Sequence, residues 1–250
     1  MKPTLEQQLV VVMKKGRKTL EQLSDHFNVG VGTIRQAIDS LHKQGINLHV
    51  LENAIMVSDS IPKSTPTIID AKSLVGKKIR FGLTSDNHLG SRYYRADVLN
   101  ALFDIWANEG ITDVYQCGNM IDGEARFNKF DLVAHGIDGQ SAYFVENWPV
   151  RKGITTHFVT GDDHEGWYIQ REGINIGKFL EDRAKEMGRK DLHYLGHMEH
   201  DLVFQGTKQK SVMRLIHAGG GSAYATSYAP QKIVESYQGG EKPQILLVGH

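Results

Sequence analysis

The sequence predicts an α/β protein in which a larger part, residues 78–250, follows a smaller part, residues 1–60, of different texture. From residue 78 onward, apolar strand-like runs such as 112–118 alternate with helix-like runs such as 96–110. This alternation is typical of a layered fold in which helices pack on sheets. Several predicted strands end in Asp, Asn or His, and ligands of such folds bind beyond the carboxyl ends of the strands.

Composition narrows the possible classes of protein. The chain has 250 residues, of which 40% are hydrophobic and 23% charged, so a wholly disordered chain is excluded. Lys and Arg together number 29, as do Asp and Glu, and the formal net charge is zero. Binding to nucleic acid through bulk positive charge is therefore excluded, and any basic surface must be local.

The cysteine content and the N-terminal residues favour an intracellular protein. The single cysteine, Cys117, cannot form an intrachain disulfide. The apolar run Leu9–Met13 is much shorter than the roughly 20 residues of a membrane span. We expect a cytoplasmic protein with no membrane partner.

Residues 1–60 predict three helices and a hairpin. Apolar residues recur at helical spacing over 5–13, again over 20–27 after a capping Thr19, and again from Thr33 up to a terminating Gly45. The glycine-rich stretch 28–32 supplies a tight turn between the second and third helices. Residues 46–59 read as two short strands joined at 52–53.

This order of elements resembles a winged helix-turn-helix domain. The resemblance implies that the third helix enters the DNA major groove, where Arg35, Gln36 and Lys43 would contact DNA. The charges of the segment almost balance, unlike those of strongly basic DNA-binding domains. The alternative is a small helical module that mediates protein contacts.

Residues 61–77 contain prolines and serines and predict a linker. Beyond it, the alternating pattern predicts strands at 77–85, 112–118, 154–161, 192–206, 210–219 and 243–250, and helices at 96–110, 130–148, 176–188 and 229–240.

Polar residues that can bind a metal follow five of these strands. Asp86 and His88 are separated by one residue, so both side chains can turn toward one ion. A carboxylate beside an imidazole suits divalent Mn, Fe or Zn. The other four strands end in the following segments: Gly118-Asn119-Met120-Ile121-Asp122, Gly161-Asp162-Asp163-His164-Glu165, Ile216-His217 and Gly249-His250.

The order of these segments resembles the calcineurin-like metallophosphoesterase superfamily. Its motifs run D-x-H, G-D-x-x-D, G-N-H-D/E, a lone His and G-H-x-H, and the resemblance covers 79–250. The segment around Asp86 is more similar to the DNA-repair nuclease branch than to the protein phosphatases. The resemblance implies a mixed β-sheet sandwich flanked by helices and two divalent ions, with Mn favoured and Fe, Zn or Mg as alternatives.

The resemblance also implies a role for each motif residue. Asp86 and His88 would hold the first metal, and Asn119 would bridge both. Asp163 and His217 would hold the second metal together with His250. The two non-ligand roles fall to His164, beside the scissile phosphate as proton or hydrogen-bond donor, and to Asp122, which would support the site from behind. Arg126 could contact the substrate phosphate.

Three departures from the family pattern stand out. Asn119 replaces the bridging Asp, and a neutral amide offsets the repulsion between two cations less well than a carboxylate does. Asp163 replaces the family's Asn, with Asp162 inserted before it, so that either Asp bridges the ions or one site is weak. Because the sequence stops at His250, inside the last motif, the domain is expected to be truncated at its C-terminus.

Three functions follow from these patterns. The first is a phosphodiesterase, a DNA-acting nuclease directed by the winged helix. The second keeps the metals but acts on phosphomonoesters or phosphoproteins, because the metal core serves all of these substrates. The third is a DNA-binding regulator or scaffold with a degenerate phosphoesterase half. A homodimer is possible in each case.

Overall fold

The computed structural model describes residues 3–14, 18–44, 46, 48–51, 54–57, 64–71, 78–206, 209–218, 227–237, 240 and 242–250. Internal contacts divide the chain into two compact units. The first comprises 1–63 and 222–242, and the second comprises 64–221 and 243–250.

The first unit combines helices with a small antiparallel sheet. Its helices are α1 (Leu5–Met13), α2 (Leu20–Phe27), α3 (Val31–Lys43) and α8 (Tyr228–Ser236). Strands β1 (Lys18–Thr19), β2 (Leu48–Leu51) and β3 (Ala54–Val57) pair antiparallel in the order β1-β3-β2. Apolar side chains from α1, α2, α3 and the hairpin form one buried cluster.

Local chemistry explains where these helices begin and end. Thr4 and Thr19 each accept a hydrogen bond from the backbone three residues on, in reciprocal capping boxes that satisfy otherwise free N–H groups. Asn28 ends α2 in the left-handed conformation. Helix α3 begins at Val31, two residues before the predicted start at Thr33, and the predicted turn at 52–53 lies outside the described residues.

The second unit contains two four-stranded sheets. The first sheet is parallel, in the order β5-β6-β7-β8, and the second is mixed, in the order β11-β10-β9-β4. The strands are β4 (Thr67–Asp70), β5 (Gly82–Thr84), β6 (Asp113–Cys117), β7 (Thr155–Thr160), β8 (Leu192–His197), β9 (Glu199–Gln205), β10 (Lys210–His217) and β11 (Ile245–Gly249). The helices are α4 (Ala96–Asn108), α5 (Gly136–Asn147), α6 (Gly166–Glu172) and α7 (Ile176–Glu186).

An apolar layer joins the two sheets. Cys117 and Val159 from the parallel sheet share a buried cluster with Leu202, Leu215 and Leu247 from the mixed sheet. This packing agrees with an α/β sandwich. Aromatic side chains on the helical side, including Phe103, Phe144 and Trp148, are also buried.

The predicted linker was wrong for part of its length. Within 61–77, Thr67–Asp70 form β4, which pairs in parallel with β9. Ile69 packs against the layer between the sheets, so tertiary burial turns a short Thr-Ile-Ile run into an edge strand. The predicted helix at 229–240 exists as α8, but it groups with the first unit rather than with the larger domain. Among the described residues, no helix is both long and apolar enough to cross a membrane.

Burial in the layer between the sheets predicts how much a substitution lowers the free energy of unfolding. Leu215 is fully buried in that layer, so Leu215→Ala should lower the free energy of unfolding by about 2–5 kcal/mol. Ile68 lies on β4 with 62% of its surface exposed, and Ile68→Ala should cost less than about 1 kcal/mol. Urea denaturation of the two variants measures both values, and equal losses would contradict the assignment of the core.

Candidate metal centre

Five loops meet at one edge of the sandwich. Strands β5, β6 and β7 run parallel, so their carboxyl ends share an edge of the first sheet, and β10 and β11 run parallel in the second. The Nδ1 atom of His217, at the end of β10, lies 2.8 Å from the carbonyl oxygen of Cys117, at the end of β6. This contact joins the edges of the two sheets and brings together the residues that follow all five strands.

Strained backbone is concentrated at this edge. Seven described non-glycine residues have positive φ, and four of them, Asp86, His88, Asn119 and His164, lie in these loops with φ between 44° and 55°. Asp, Asn and His tolerate this left-handed region better than other residues, but the conformation still costs free energy. The fold holds these four residues in turns that aim their side chains toward one another.

A first group of potential ligands contains Asp86, His217 and His250. One ligand atom from each lies within 4.8 Å of the others. The backbone N–H of His250 donates to Asp86 Oδ2 at 2.9 Å, and Ser85 Oγ also donates to this carboxylate. Donors from two different strands therefore fix Asp86 in place.

Asp163 completes this side of the edge. Its Oδ1 atom lies 3.2 Å from Nε2 of His217, and its Oδ2 atom lies 3.8 Å from Nδ1 of His250. Because a carbonyl oxygen only accepts, His217 Nδ1 carries the proton that bonds Cys117, and Nε2, which faces Asp163, is the ring atom that could bind a metal after losing its proton. Burial alone would raise the pKa of Asp163, but hydrogen bonds from His217 and Asn119 and the charges of the nearby imidazoles together outweigh burial and lower that pKa.

A second group contains His88, Asp122 and His164, again with ligand atoms within 4.8 Å of one another. The Asp122 carboxylate lies 2.9 Å from Nδ1 of His88 and 3.2 Å from Nδ1 of His164. The two imidazole rings are in contact, with centroids 4.3 Å apart. Burial would raise the pKa of Asp122, but hydrogen bonds from His164 and His88 lower it below the ordinary range.

His88 links the two groups. Its Nε2 atom lies 3.9 Å from Oδ1 of Asp86, while its Nδ1 faces Asp122. A metal-binding histidine commonly donates its second ring N–H to a carboxylate in this way, which fixes the ring and the tautomer. Asp122 thus contacts Nδ1 of His88, while Nε2 of the same ring faces Asp86.

Asn119 lies between the carboxylates. Its Nδ2 donates to Asp86 Oδ1 at 3.2 Å, whereas its buried Oδ1 has no hydrogen-bond partner among the described residues. A buried amide oxygen without a partner costs free energy, and a cation would satisfy it. This unpartnered oxygen, together with Nε2 of His217 and the Asp163 carboxylate that it faces, fits a metal ion. Carboxylate, amide and imidazole donors suit Mn²⁺ and similar ions.

Three buried residues that shape the loops have no role in the sequence analysis above. Glu165 is fully buried and accepts backbone N–H groups of Asn119, Ile121 and Gly161 at 2.8–3.1 Å. Burial raises the pKa of Glu165 to about 7. Two neutral amides act similarly: Gln116 bonds both backbone groups of Gly118, and Asn128 donates to Asp122 Oδ2 at 3.1 Å. Only the position of Glu165 in a motif-like segment could have signalled such a role.

The structure also describes the other residues predicted at the site. Asp162 is buried, and it is the adjacent Asp163 whose carboxylate lies 3.2 Å from Nε2 of His217. Arg126 is exposed on the segment between Asp122 and Asn128. Arg35, Gln36 and Lys43 are exposed on α3, which belongs to the other unit.

No protein-family model matches the chain, and no curated protein matches its sequence. The resemblance to metallophosphoesterases therefore rests on the ordered motifs of the sequence.

The close approach of Gly118 to His217, where the two sheets meet, predicts the effect of adding a methyl group at position 118. Gly118 has φ of 90°, and a Cβ there would overlap the His217 ring. Gly118→Ala should displace His217 and weaken binding of Mn²⁺ by at least about 10-fold, the smallest loss usual for disturbed ligand support. Isothermal titration calorimetry with Mn²⁺ measures the change.

Gly153→Ala provides a matched control, because Gly153 has a similar φ of 84° with nothing within 4 Å of the added Cβ. The Gly153→Ala variant has a similar backbone strain, but its added Cβ does not contact His217. If the two variants bind Mn²⁺ equally well, the position of His217 does not govern metal binding.

Proposed function

We propose that the protein is a dinuclear metal phosphoesterase that hydrolyses phosphodiester bonds of nucleic acid. The observation that carries the proposal is the first group of potential ligands, Asp86, His217 and His250, which adjoins Asp163 and His88, while the His164 ring contacts the His88 ring. Adjoining carboxylate and imidazole ligands suit two divalent ions, and a positioned histidine suits transfer of a proton to a leaving oxygen.

Six side chains would hold the ions. They are Asp86, His88, Asn119, Asp163, His217 and His250. Bound ions would activate a water molecule for attack on phosphorus and stabilise negative charge on the phosphate oxygens. The loss of a carboxylate at Asn119 is offset by the gain of one at Asp163, which faces His217 and so keeps negative charge at the edge.

His164 is the proposed proton donor. Its Nδ1 lies 3.1 Å from the carbonyl oxygen of Asp122, which only accepts, so Nδ1 carries a proton and Nε2 remains for the substrate. Burial lowers the pKa of His164, but the contacts with Asp122 and Asp163 outweigh burial and raise it. A raised pKa keeps the ring protonated at higher pH, which is the state that a general acid requires.

The first unit supports nucleic acid as the substrate. Three helices and a three-stranded antiparallel sheet resemble a winged helix, and α3 buries Ile34, Ala37 and Ile38 while Arg35 and Gln36 are exposed. We propose that this exposed face of α3, with Lys43, contacts DNA.

Hydrolysis of bis(p-nitrophenyl) phosphate with Mn²⁺ tests the proposed chemistry. His88→Ala should lower the rate more than about 100-fold, because even residues behind a metal ligand commonly contribute 10- to 100-fold. His193→Ala, which removes a 44% exposed histidine from β8, is the matched control and should keep the wild-type rate.

Full activity of His88→Ala would show that the metal assignment is wrong. Tight Mn²⁺ binding by the wild type without hydrolysis of this ester or of single- or double-stranded DNA would instead favour the DNA-binding regulator. Hydrolysis of p-nitrophenyl phosphate or a phosphopeptide in preference to DNA would favour a phosphomonoesterase.

His164→Asn separates proton donation from metal binding. The variant should turn over about 100- to 10,000-fold more slowly, the usual contribution of a positioned acid. Its manganese content should stay at the wild-type value, because His164 is not an assigned ligand. Elemental analysis of the purified protein measures that content, and a variant that has lost its manganese would make His164 a ligand.

A further inference from the structure

A row of aromatic rings leads from the proposed proton donor to the protein surface. The His164 ring stacks on the Trp167 ring, with centroids 4.9 Å apart and planes 28° apart. Trp167 in turn meets Phe127 edge to face, with centroids 5.3 Å apart. Phe127 is the outer end of the row, and 72% of its surface is exposed.

The segment that carries Phe127 is tied to the site. The adjacent residue, Asn128, is buried and donates to the Asp122 carboxylate, and its Oδ1 accepts the backbone N–H of Ala125 at 2.7 Å. Asp122 is the carboxylate that contacts both His88 and His164. The segment that carries Phe127 is therefore held at a set position relative to Asp122.

A second tie comes from α6, the helix that contains Trp167. Arg171 donates from its guanidinium to the carbonyl oxygen of Glu124 at 2.6 Å, which fastens this helix to the segment ahead of Phe127. The two aromatic residues thus lie on elements that are joined to each other and to Asp122. The arrangement is pre-organised, which reduces the entropy lost when a ligand binds.

The chemistry around the row suits a nucleotide. Exposing a large ring to water is unfavourable, and here the ring adjoins a site for a phosphate ester. Arg126 and Lys129, on either side of Phe127 and Asn128 in sequence, are exposed cations. Aromatic faces with nearby cations are the usual means of binding single-stranded nucleic acid, whose bases are free to stack on protein.

We infer that Phe127 and Trp167 form a base-stacking platform that receives the nucleotide beside the scissile phosphate of a single-stranded nucleic acid. The inference rests on the proposed function, and it adds the substrate class: a strand with unpaired bases rather than a duplex, a phosphoprotein or a small phosphate ester. Bases inside a duplex are already stacked on each other and could not reach the platform without unpairing.

Binding to the full chain, measured without turnover, tests this inference. The probes are a fluorescein-labelled thymidine hexamer and the same hexamer with abasic sugars, and fluorescence anisotropy is followed in EDTA. Phe127→Ala should weaken binding of the thymidine hexamer by about 5- to 150-fold, the range for losing one stacked base. Binding of the abasic hexamer should stay unchanged.

Two further variants test whether the aromatic ring of Phe127 itself is responsible for binding. Phe127→Trp keeps an aromatic face and should retain the affinity for the thymidine hexamer. Phe130→Ala is the matched control, since Phe130 lies on the same segment and 87% of its surface is exposed. It should leave both affinities at their wild-type values.

Three outcomes would overturn the inference. They are unchanged binding of the thymidine hexamer by Phe127→Ala, equal weakening of both hexamers, and loss of a wild-type dimer in sedimentation with DNA affinity intact. The last would make Phe127 a contact between two copies of the chain. Failure of the proposed function is distinguishable, because absence of Mn²⁺-dependent hydrolysis in the wild type leaves the comparison of hexamers unaffected.

Discussion

The arrangement of the site depends on the carboxylate of Asp122. One of its oxygen atoms faces both His88 and His164, and the other accepts a hydrogen bond from Asn128. Because this carboxylate is largely buried, its charge interacts strongly with the two imidazoles, and they lower its pKa despite the cost of burial. A single anion thus orients a proposed metal ligand, the proposed proton donor and the segment that carries Phe127.

Around this anion, the loops are held by polar groups that lie beneath the site. Glu165 collects three backbone N–H groups from two different loops, and Gln116 bonds both backbone groups of Gly118. Such buried bonds are costly to break, because any unsatisfied partner would remain out of reach of water. They hold Asn119 and neighbouring residues in left-handed turns that would otherwise relax. These buried hydrogen bonds consequently fix the loops whose exposed side chains form the site.

The placement of charge at the edge accounts for the presence of a neutral amide among the candidate ligands. Asn119 offers a neutral oxygen and donates to Asp86 from its other atom, so it brings the carboxylate into place without adding charge. Asp163, on the next loop, provides the negative charge and faces His217. With an aromatic row beside His164, the same edge combines the proposed phosphate site with the proposed platform for a base.

The sequence by itself determined the alternation of strands and helices, the strand ends that carry the candidate ligands, and the distinct N-terminal part. These features depend on apolar periodicity and on local residue types, which are visible without a structure.

The sequence alone could not predict β4, because a short Thr-Ile-Ile run becomes a strand only when β9 offers it a partner. Nor could it choose between Asp162 and Asp163, which are adjacent and of the same type. The turn after β7 brings the Asp163 carboxylate to His217. The contacts of Glu165, Asn128 and Phe127 likewise appear only in the tertiary structure. Each depends on contacts between residues distant in sequence, and side-chain type alone does not encode which loops the folded sheets bring together.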